Sequence, residues 1–335
     1  MVPSPWSRRP AIILVILGAL VVGGGCAAPS GAIQEQARDA GFEAAVRQGT
    51  GFRHVVFRGR PLAADGILHV YLGGDGRAWV NPRRIALDPT PDESLVLKLM
   101  ARDPGAAVMV GRPCYHGLAR DEGCAPAYWT GRRYSPEVVA SLAAVIEDER
   151  REPEGVPARV ILVGHSGGGT LAVLVAEVLD GVAGVITLAG NLDLGAWTRH
   201  HGYSALEGSL DPARRPPLPP GMPRLHLVGE KDENVLAEWT RRFVAARSGA
   251  RMCMLSRTDH RCCWVDVWPL PVCWLGDDAA CEGAARLLID HLREPVLPRE
   301  LCITDSPEGE PEVSSPSRGQ GIRGYQKSTL SPSLY

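Results

Sequence analysis

The sequence predicts an α/β fold: a mostly parallel central sheet flanked by helices, with a short cap or lid insertion. Three observations lead there. Short apolar runs rich in β-branched residues, such as 159–163 and 184–188, read as strands buried on both faces. Segments with apolar residues at helical spacing, as at 171–179, lie between such runs, and this alternation is the mark of βαβ units. Several of the strands then run into loops that carry Ser, Asp or His, and open parallel sheets place ligands at those carboxyl ends.

With 335 residues, the chain is long enough for one large α/β domain or two small ones. Its 36 basic and 38 acidic residues nearly cancel, and no basic stripe is present, so no nucleic acid partner is expected. At the N-terminus Arg8 and Arg9 precede an apolar stretch ending in small residues, which reads as a signal peptide over 1–25, too short to span a bilayer comfortably. Ser7-Arg8-Arg9-Pro10 carries only part of a twin-arginine signal.

Cys26 stands between Gly23-Gly24-Gly25 and Ala27-Ala28, which resembles the lipobox of bacterial lipoproteins. The resemblance implies a lipidated Cys26, a cell-envelope location and membrane association through that lipid. The family prefers Leu where this chain has Gly23, and cleavage near Ala27 or Ala28, giving a soluble periplasmic or secreted protein, is the alternative.

Cysteine usage points the same way. Of nine cysteines, eight remain once Cys26 is set aside, an even number suited to disulfides in an oxidising compartment. Cys114 and Cys124 close a short loop and are expected to pair. The pairing among Cys253, Cys262, Cys263, Cys273, Cys281 and Cys302 stays open. Zinc held by His260, Cys262 and Cys263 is the rival reading; adjacent cysteines lack the two-residue spacer of common zinc sites, so disulfides are preferred and no metal or cofactor is expected.

In chain order, residues 26–50 read as a linker with an irregular helix, and 52–57 (FRHVVF) as an edge strand. The more buried strand 67–72 (ILHVYL) runs into Gly73-Gly74-Asp75-Gly76, which suits either a type I′ hairpin turn or a loop whose backbone approaches a ligand. A helix is expected over 91–102 and a strand over 106–110. The long connection 111–133 carries Tyr115, Tyr128 and Trp129, which either wall a pocket or pack the loop on the body. Ser135 and Pro136 begin a helix that runs to about 151, as a capping serine and a first-position proline.

Next comes the stretch 159–180. A buried strand leads into Gly164-His165-Ser166-Gly167-Gly168, and a helix follows at once. Glycines flanking Ser166 remove the Cβ atoms that a sharp strand-to-helix turn cannot hold. Such a turn leaves the hydroxyl at the sheet edge, with the next backbone N–H at a helix start where an oxyanion is stabilised. A phosphate-binding loop is the rival, but no Lys follows the glycines and the G-x-G-x-x-G order is absent.

This G-x-S-x-G turn in its strand–helix context resembles the nucleophile elbow of the α/β-hydrolase superfamily. The resemblance extends by order of elements over roughly residues 52–292, and the domain is expected over 51–303. It implies an oxyanion hole from the backbone N–H groups of Asp75 and Gly167. It also implies an acid a few residues past the strand 224–228, where Asp232 fits a G-x-x-D-x-x-V setting. Glu230, Glu233 and Asp193 are rivals for that role, and Asp232 also suits an ordinary cap before a helix over 235–246. The general base is expected beyond the last clear strand, 251–255, where His260 lies 28 residues after Asp232. His165 reads instead as a positioning residue, and His69 and His226 as strand positions.

Between strand 184–188 and strand 224–228, residues 191–223 are the expected cap; His200 and His201 there have no companions to complete a metal site. A closing helix is expected over 283–293, and the Ser-, Pro- and Gly-rich tail 304–335 is expected to be disordered. The implied activity is serine-dependent hydrolysis of small-molecule or lipid carboxylic esters through Ser166, His260 and Asp232. A serine peptidase or amidase on the same fold, and a non-catalytic envelope lipoprotein that binds a surface partner, are the alternatives.

Overall fold

The computed structural model describes residues 29–61, 66–151, 158–275 and 302–304. The signal region, Cys26, Cys281, the helix expected over 283–293 and the tail beyond Thr304 lie outside the described residues.

In chain order the elements are α1 (Pro29–Asp39), β1 (Glu43–Gln48), β2 (Arg53–Arg58), β3 (Ile67–Leu72), the hairpin β4 (Trp79–Asn81) and β5 (Arg84–Ile85), α2 (Leu95–Met100), β6 (Ala106–Val110) and α3 (Pro136–Glu149). There follow β7 (Arg159–His165), α4 (Gly167–Ala176), β8 (Val182–Leu188), α5 (Leu194–His201), β9 (Arg224–Gly229), α6 (Ala237–Ala245), β10 (Ala250–Leu255), α7 (Leu270–Leu275) and β11 (Cys302–Thr304). One sheet takes the order β1-β2-β6-β3-β7-β8-β9-β10-β11. The strands from β6 to β10 in that order run parallel, while β1 and β2 at one edge and β11 at the other are antiparallel to their neighbours.

Strand alternation sorts the buried side chains into two layers. Val160 and Leu162 of β7 face one core with Leu142 and Ile146 of α3, Leu171 of α4 and Phe243 of α6. Ile161 and Val163 face the other, with Ile33 of α1, Leu97 of α2, and Trp264 and Val272 beyond β10. Burial on both faces is why these strands read as unbroken apolar runs.

Several boundaries differ from the sequence reading, each for a local reason. The expected linker holds α1 and β1, and β1 takes the sheet edge, so β2 lies one strand in from it. Ile33 is fully buried and the Gln36 amide hydrogen-bonds the backbone of Ser94, which docks α1 on the domain. Helix α2 starts only after Ser94, whose hydroxyl accepts from the Leu97 N–H, rather than at residue 91. Helix α6 begins at Ala237 instead of 235. Ser135 stands at the cap position of α3, but its hydroxyl makes no capping bond. β10 is not the last strand, because β11 adds to its free side. No hairpin forms at residues 73–76; the hairpin lies further on, in β4 and β5.

The sheet order also fixes where loops meet. From β3 the chain crosses to β6 on one side, then returns to place β7 on the other side of β3. The loops after β3 and β7 therefore leave the carboxyl edge at a topological switch point, where open α/β sheets hold ligands.

Candidate active site

At the end of β7 the backbone turns sharply into α4, and Ser166 sits at the apex with φ 53° and ψ −121°. A non-glycine residue at such a φ is strained, and strain of this kind persists only when its surroundings over-determine it. Here they do: Ser166 N–H donates to Leu188 O at 2.9 Å, and its carbonyl accepts from Gly169 and Asn191. The flanking glycines are required by contact. A Cβ on Gly164 would lie 2.1 Å from Gly168 O, and one on Gly168 would lie 2.0 Å from Leu72 O. Backbone at the elbow thus packs directly on backbone of β3.

Asp232 lies three residues past β9 and is buried. Its two carboxylate oxygens are divided between tasks. Oδ1 accepts the Asn234 and Val235 N–H groups, both at 2.9 Å, and closes the turn. Oδ2 lies 2.9 Å from His260 Nδ1. Asp232 therefore does not cap α6, whose N-cap position is Leu236; one of its oxygens closes the turn and the other faces His260.

His260 sits in the loop after β10. That loop is tied to the Asp232 loop by the Lys231 N–H, which donates to Thr258 O at 2.9 Å, and by the Glu230 N–H, which donates to Leu255 O at 3.0 Å. Because a carboxylate can only accept, His260 Nδ1 carries the proton and Nε2 presents its lone pair. That nitrogen lies 3.0 Å from Ser166 Oγ. The structure thus brings together Ser166, His260 and Asp232, from the ends of three different parallel strands. Asp193 is elsewhere, capping α5 through Ala196 N–H at 2.7 Å.

Two neighbours set the pose of the His260 loop. The His260 carbonyl accepts from His165 Nε2 at 2.8 Å and from Trp264 Nε1 at 3.3 Å. Burial, with the His260 ring 5.2 Å away, pushes the His165 pKa down to about 4, so this imidazole is a neutral, fixed prop at ordinary pH. Next in the chain, Asp259 Oδ1 accepts the Arg261 and Cys262 N–H groups. Cys262 and Cys263 are disulfide-bonded to each other, which removes both sulfurs from any zinc site. Cys253 is also disulfide-bonded. Among the described residues, no group of three His, Cys, Asp or Glu side chains could hold a metal ion.

On the other side of the serine, the loop after β3 brings Gly74 against the elbow. A Cβ on Gly74 would lie 3.5 Å from Ser166 Cβ. Asp75 and Gly167 are neighbours in space, and among the described residues no acceptor takes either backbone N–H. Around Asp75 is a set of residues that sequence reasoning did not single out. Its carboxylate accepts from Arg112, from Arg133 Nη1 at 2.9 Å and from the Tyr134 hydroxyl at 2.6 Å. Burial opposes its charge, but the Arg133 and Arg112 guanidiniums outweigh that and hold its carboxyl far below the usual range.

The connection 111–133 supplies these arginines, and the Cys114–Cys124 disulfide closes it. Tyr115 and Trp129 are buried in its packing. The Tyr115 hydroxyl donates to Asp75 O at 2.8 Å, and the Trp129 indole to Ala86 O at 3.1 Å.

Residues 191–223 hold α5 and a short 3₁₀ turn, Pro212–Arg214. From α5, Trp197 Nε1 donates to Asn234 Oδ1 at 3.3 Å and His201 Nε2 donates to Asn234 O at 2.9 Å. Asn234 in turn places its amide nitrogen 3.0 Å from His260 Nε2. Nothing local in the sequence marks the Asn234 side chain, whose partners Trp197 and His260 lie 37 and 26 residues away.

Among solved structures, the chain is similar to a puromycin hydrolase at 20% identity and a TM-score of 0.43, over 65% of this chain and 35% of that one. It is similar to a lidless α/β serine hydrolase from Xanthomonas campestris at 14% identity and a TM-score of 0.43, over 74% and 95% of the two chains. The Pyrococcus horikoshii acylaminoacyl peptidase matches at 16% identity and a TM-score of 0.46, over 65% and 38%. This chain spans about a third of the length of the puromycin hydrolase. No protein-family model matches the sequence, and no curated protein matches it. The strand order of the sheet and the turn that carries Ser166, rather than sequence likeness, give the chain an α/β-hydrolase fold.

Proposed function

We propose that the protein is a serine hydrolase that cleaves carboxylic esters through an acyl-enzyme. The observation that carries this reading is the hydrogen-bonded series from Ser166 Oγ through His260 to the Asp232 carboxylate. Ser166 Oγ attacks the ester carbonyl as His260 Nε2 takes its proton. The tetrahedral oxyanion is met by the Asp75 and Gly167 N–H groups, each worth about 3 kcal/mol by analogy with other oxyanion holes. The carbonyl re-forms, and His260 returns the proton to the leaving alkoxide, releasing the alcohol. Water repeats the sequence on the acyl-enzyme, gives the carboxylic acid and restores the serine. Asp232 holds the imidazole in the tautomer this requires and stabilises its charged form. Chain order Ser, Asp, His agrees with the superfamily.

A fluorophosphonate probe tests the reading. Labelling of the wild-type protein that is lost in Ser166→Ala supports it. Folded wild-type protein that stays unlabelled would refute it in favour of a binding role. Matched ester and amide panels then decide the bond, and turnover confined to amides would replace the esterase with an amidase or peptidase.

We further infer that the chain is exported and that Cys26 bears a lipid anchor, on the strength of the charged and apolar N-terminal stretch and the small residues before Cys26. No helix among the described residues is long and apolar enough to cross a membrane.

A further inference from the structure

A carboxylate is a poor neighbour for an oxyanion, yet Asp75 Oδ1 lies so close to the Gly167 backbone that a Cβ there would fall 2.1 Å from it. Both N–H groups assigned above to the oxyanion belong to these two residues. An uncompensated negative charge at this spot would oppose the charge that develops on the substrate, and burial would leave little water to screen it. The surroundings reverse its sign. Arg112 and Arg133 both pair with the carboxylate, and their side chains are 3% and 7% exposed. One carboxylate and two guanidiniums leave the cluster with a net positive charge beside the elbow.

The same residues fix the position of the loop. The Tyr134 hydroxyl reaches both Asp75 oxygens, at 2.7 and 2.6 Å, and the Tyr115 hydroxyl holds the Asp75 carbonyl. Arg112 donates to Arg133 O at 2.7 Å, and Arg133 Nε donates to Thr130 O at 2.7 Å. The Arg112 guanidinium also lies over the rings of Tyr115 and Tyr134, at 5.3 and 5.2 Å. The side chains of Arg112, Arg133, Tyr115 and Tyr134 are buried and do not reach substrate themselves. Preorganised charge of this kind acts on the transition state without reorganising during the reaction.

We propose that Arg112, Arg133 and Tyr134 are positioning residues for the oxyanion step, which neutralise and over-compensate the Asp75 carboxylate while they hold its backbone N–H beside Ser166. The inference rests on the proposed hydrolase reading. A merely structural ion cluster would affect folding; this one acts on kcat.

The test is a double-mutant cycle on 4-nitrophenyl acetate, with kcat and KM measured separately and thermal unfolding recorded for each variant. Arg133→Gln strips one compensating charge and is expected to lower kcat about 100-fold, the scale of losing one oxyanion donor, with KM within about twofold. Adding Asp75→Asn removes the carboxylate, restores a net positive charge through Arg112, and is expected to recover at least about tenfold of that loss. Tyr134→Phe, which keeps both guanidiniums, is expected to lower kcat about tenfold, and it stands in if Arg133→Gln does not fold. Wild-type kcat in Arg133→Gln and Tyr134→Phe, or a double variant no faster than Arg133→Gln, overturns the proposal. The parent reading is decided separately, by whether Ser166→Ala abolishes turnover of the wild-type chain.

Discussion

The Asn234 side-chain nitrogen lies 3.0 Å from His260 Nε2, the same distance that separates this ring nitrogen from the Ser166 hydroxyl. Its orientation is not free. An indole N–H can only donate, so Trp197 Nε1 requires Asn234 Oδ1 on its side and leaves the NH₂ group facing the imidazole. Neutral His260 has a single in-plane lone pair at Nε2, and two donors compete for it.

Asn234→Ala removes the competitor. Fluorophosphonate labelling of Ser166 is expected to accelerate about two- to tenfold, the range set by one neutral hydrogen bond of about 0.5–1.5 kcal/mol. Trp197→Phe, which lets the amide turn, is expected to move the rate in the same direction by less. A labelling rate in Asn234→Ala at or below that of the wild type would show that the amide supports the base instead of restraining it.

Acid should destabilise the fold in a defined window. Burial pushes His54 and His116 down to about 4 and His226 down to about 3. All three are thus neutral in the folded protein at pH 6.5, while their unfolded counterparts, near 6.5, are half protonated. Below that pH the unfolded chain binds protons that the folded chain does not, so stability is complete above about pH 7.5 and falls as pH drops from 6.5 toward 4. The slope is up to about 1.4 kcal/mol per pH unit for each histidine. Asp75 adds to the loss only at lower pH, because its unfolded carboxyl titrates near 4. Urea midpoints measured from pH 8 to 4.5 check this. A midpoint that stays level between 6.5 and 4.5 would contradict it.

Cys26→Ser is expected to shift the protein from the membrane fraction to the soluble one. A single acyl chain binds membranes only marginally, whereas a diacyl anchor holds the protein there. Unchanged membrane association of the variant would refute lipid anchoring at this residue, and mass spectrometry of the wild-type N-terminus reports the modification directly.

Much of the α/β architecture was legible in the sequence, because strands buried on both faces announce themselves as apolar runs, as in β3, β7 and β9. The serine turn was legible for a related reason: Gly164 and Gly168 answer a contact between backbones, and such contacts leave their mark as glycines at fixed spacing. Strand β1 left no comparable mark. Its residues, EAAVRQ, show no buried face, and only pairing with β2 makes them a strand.

What the sequence by itself determined is therefore the local part of the site: Ser166 on its turn, Asp232 and His260 each a few residues past a strand, and Cys114 close to Cys124. What only the tertiary structure decided is which distant groups face them. Arg112 and Arg133 reach Asp75 across 37 and 58 residues of chain, and His165 supports the carbonyl of a residue 95 positions away. The physical reason is range. A turn or a buried strand is dictated by its neighbours in sequence, whereas the sign of the charge beside an oxyanion depends on which loops the sheet order brings to one edge.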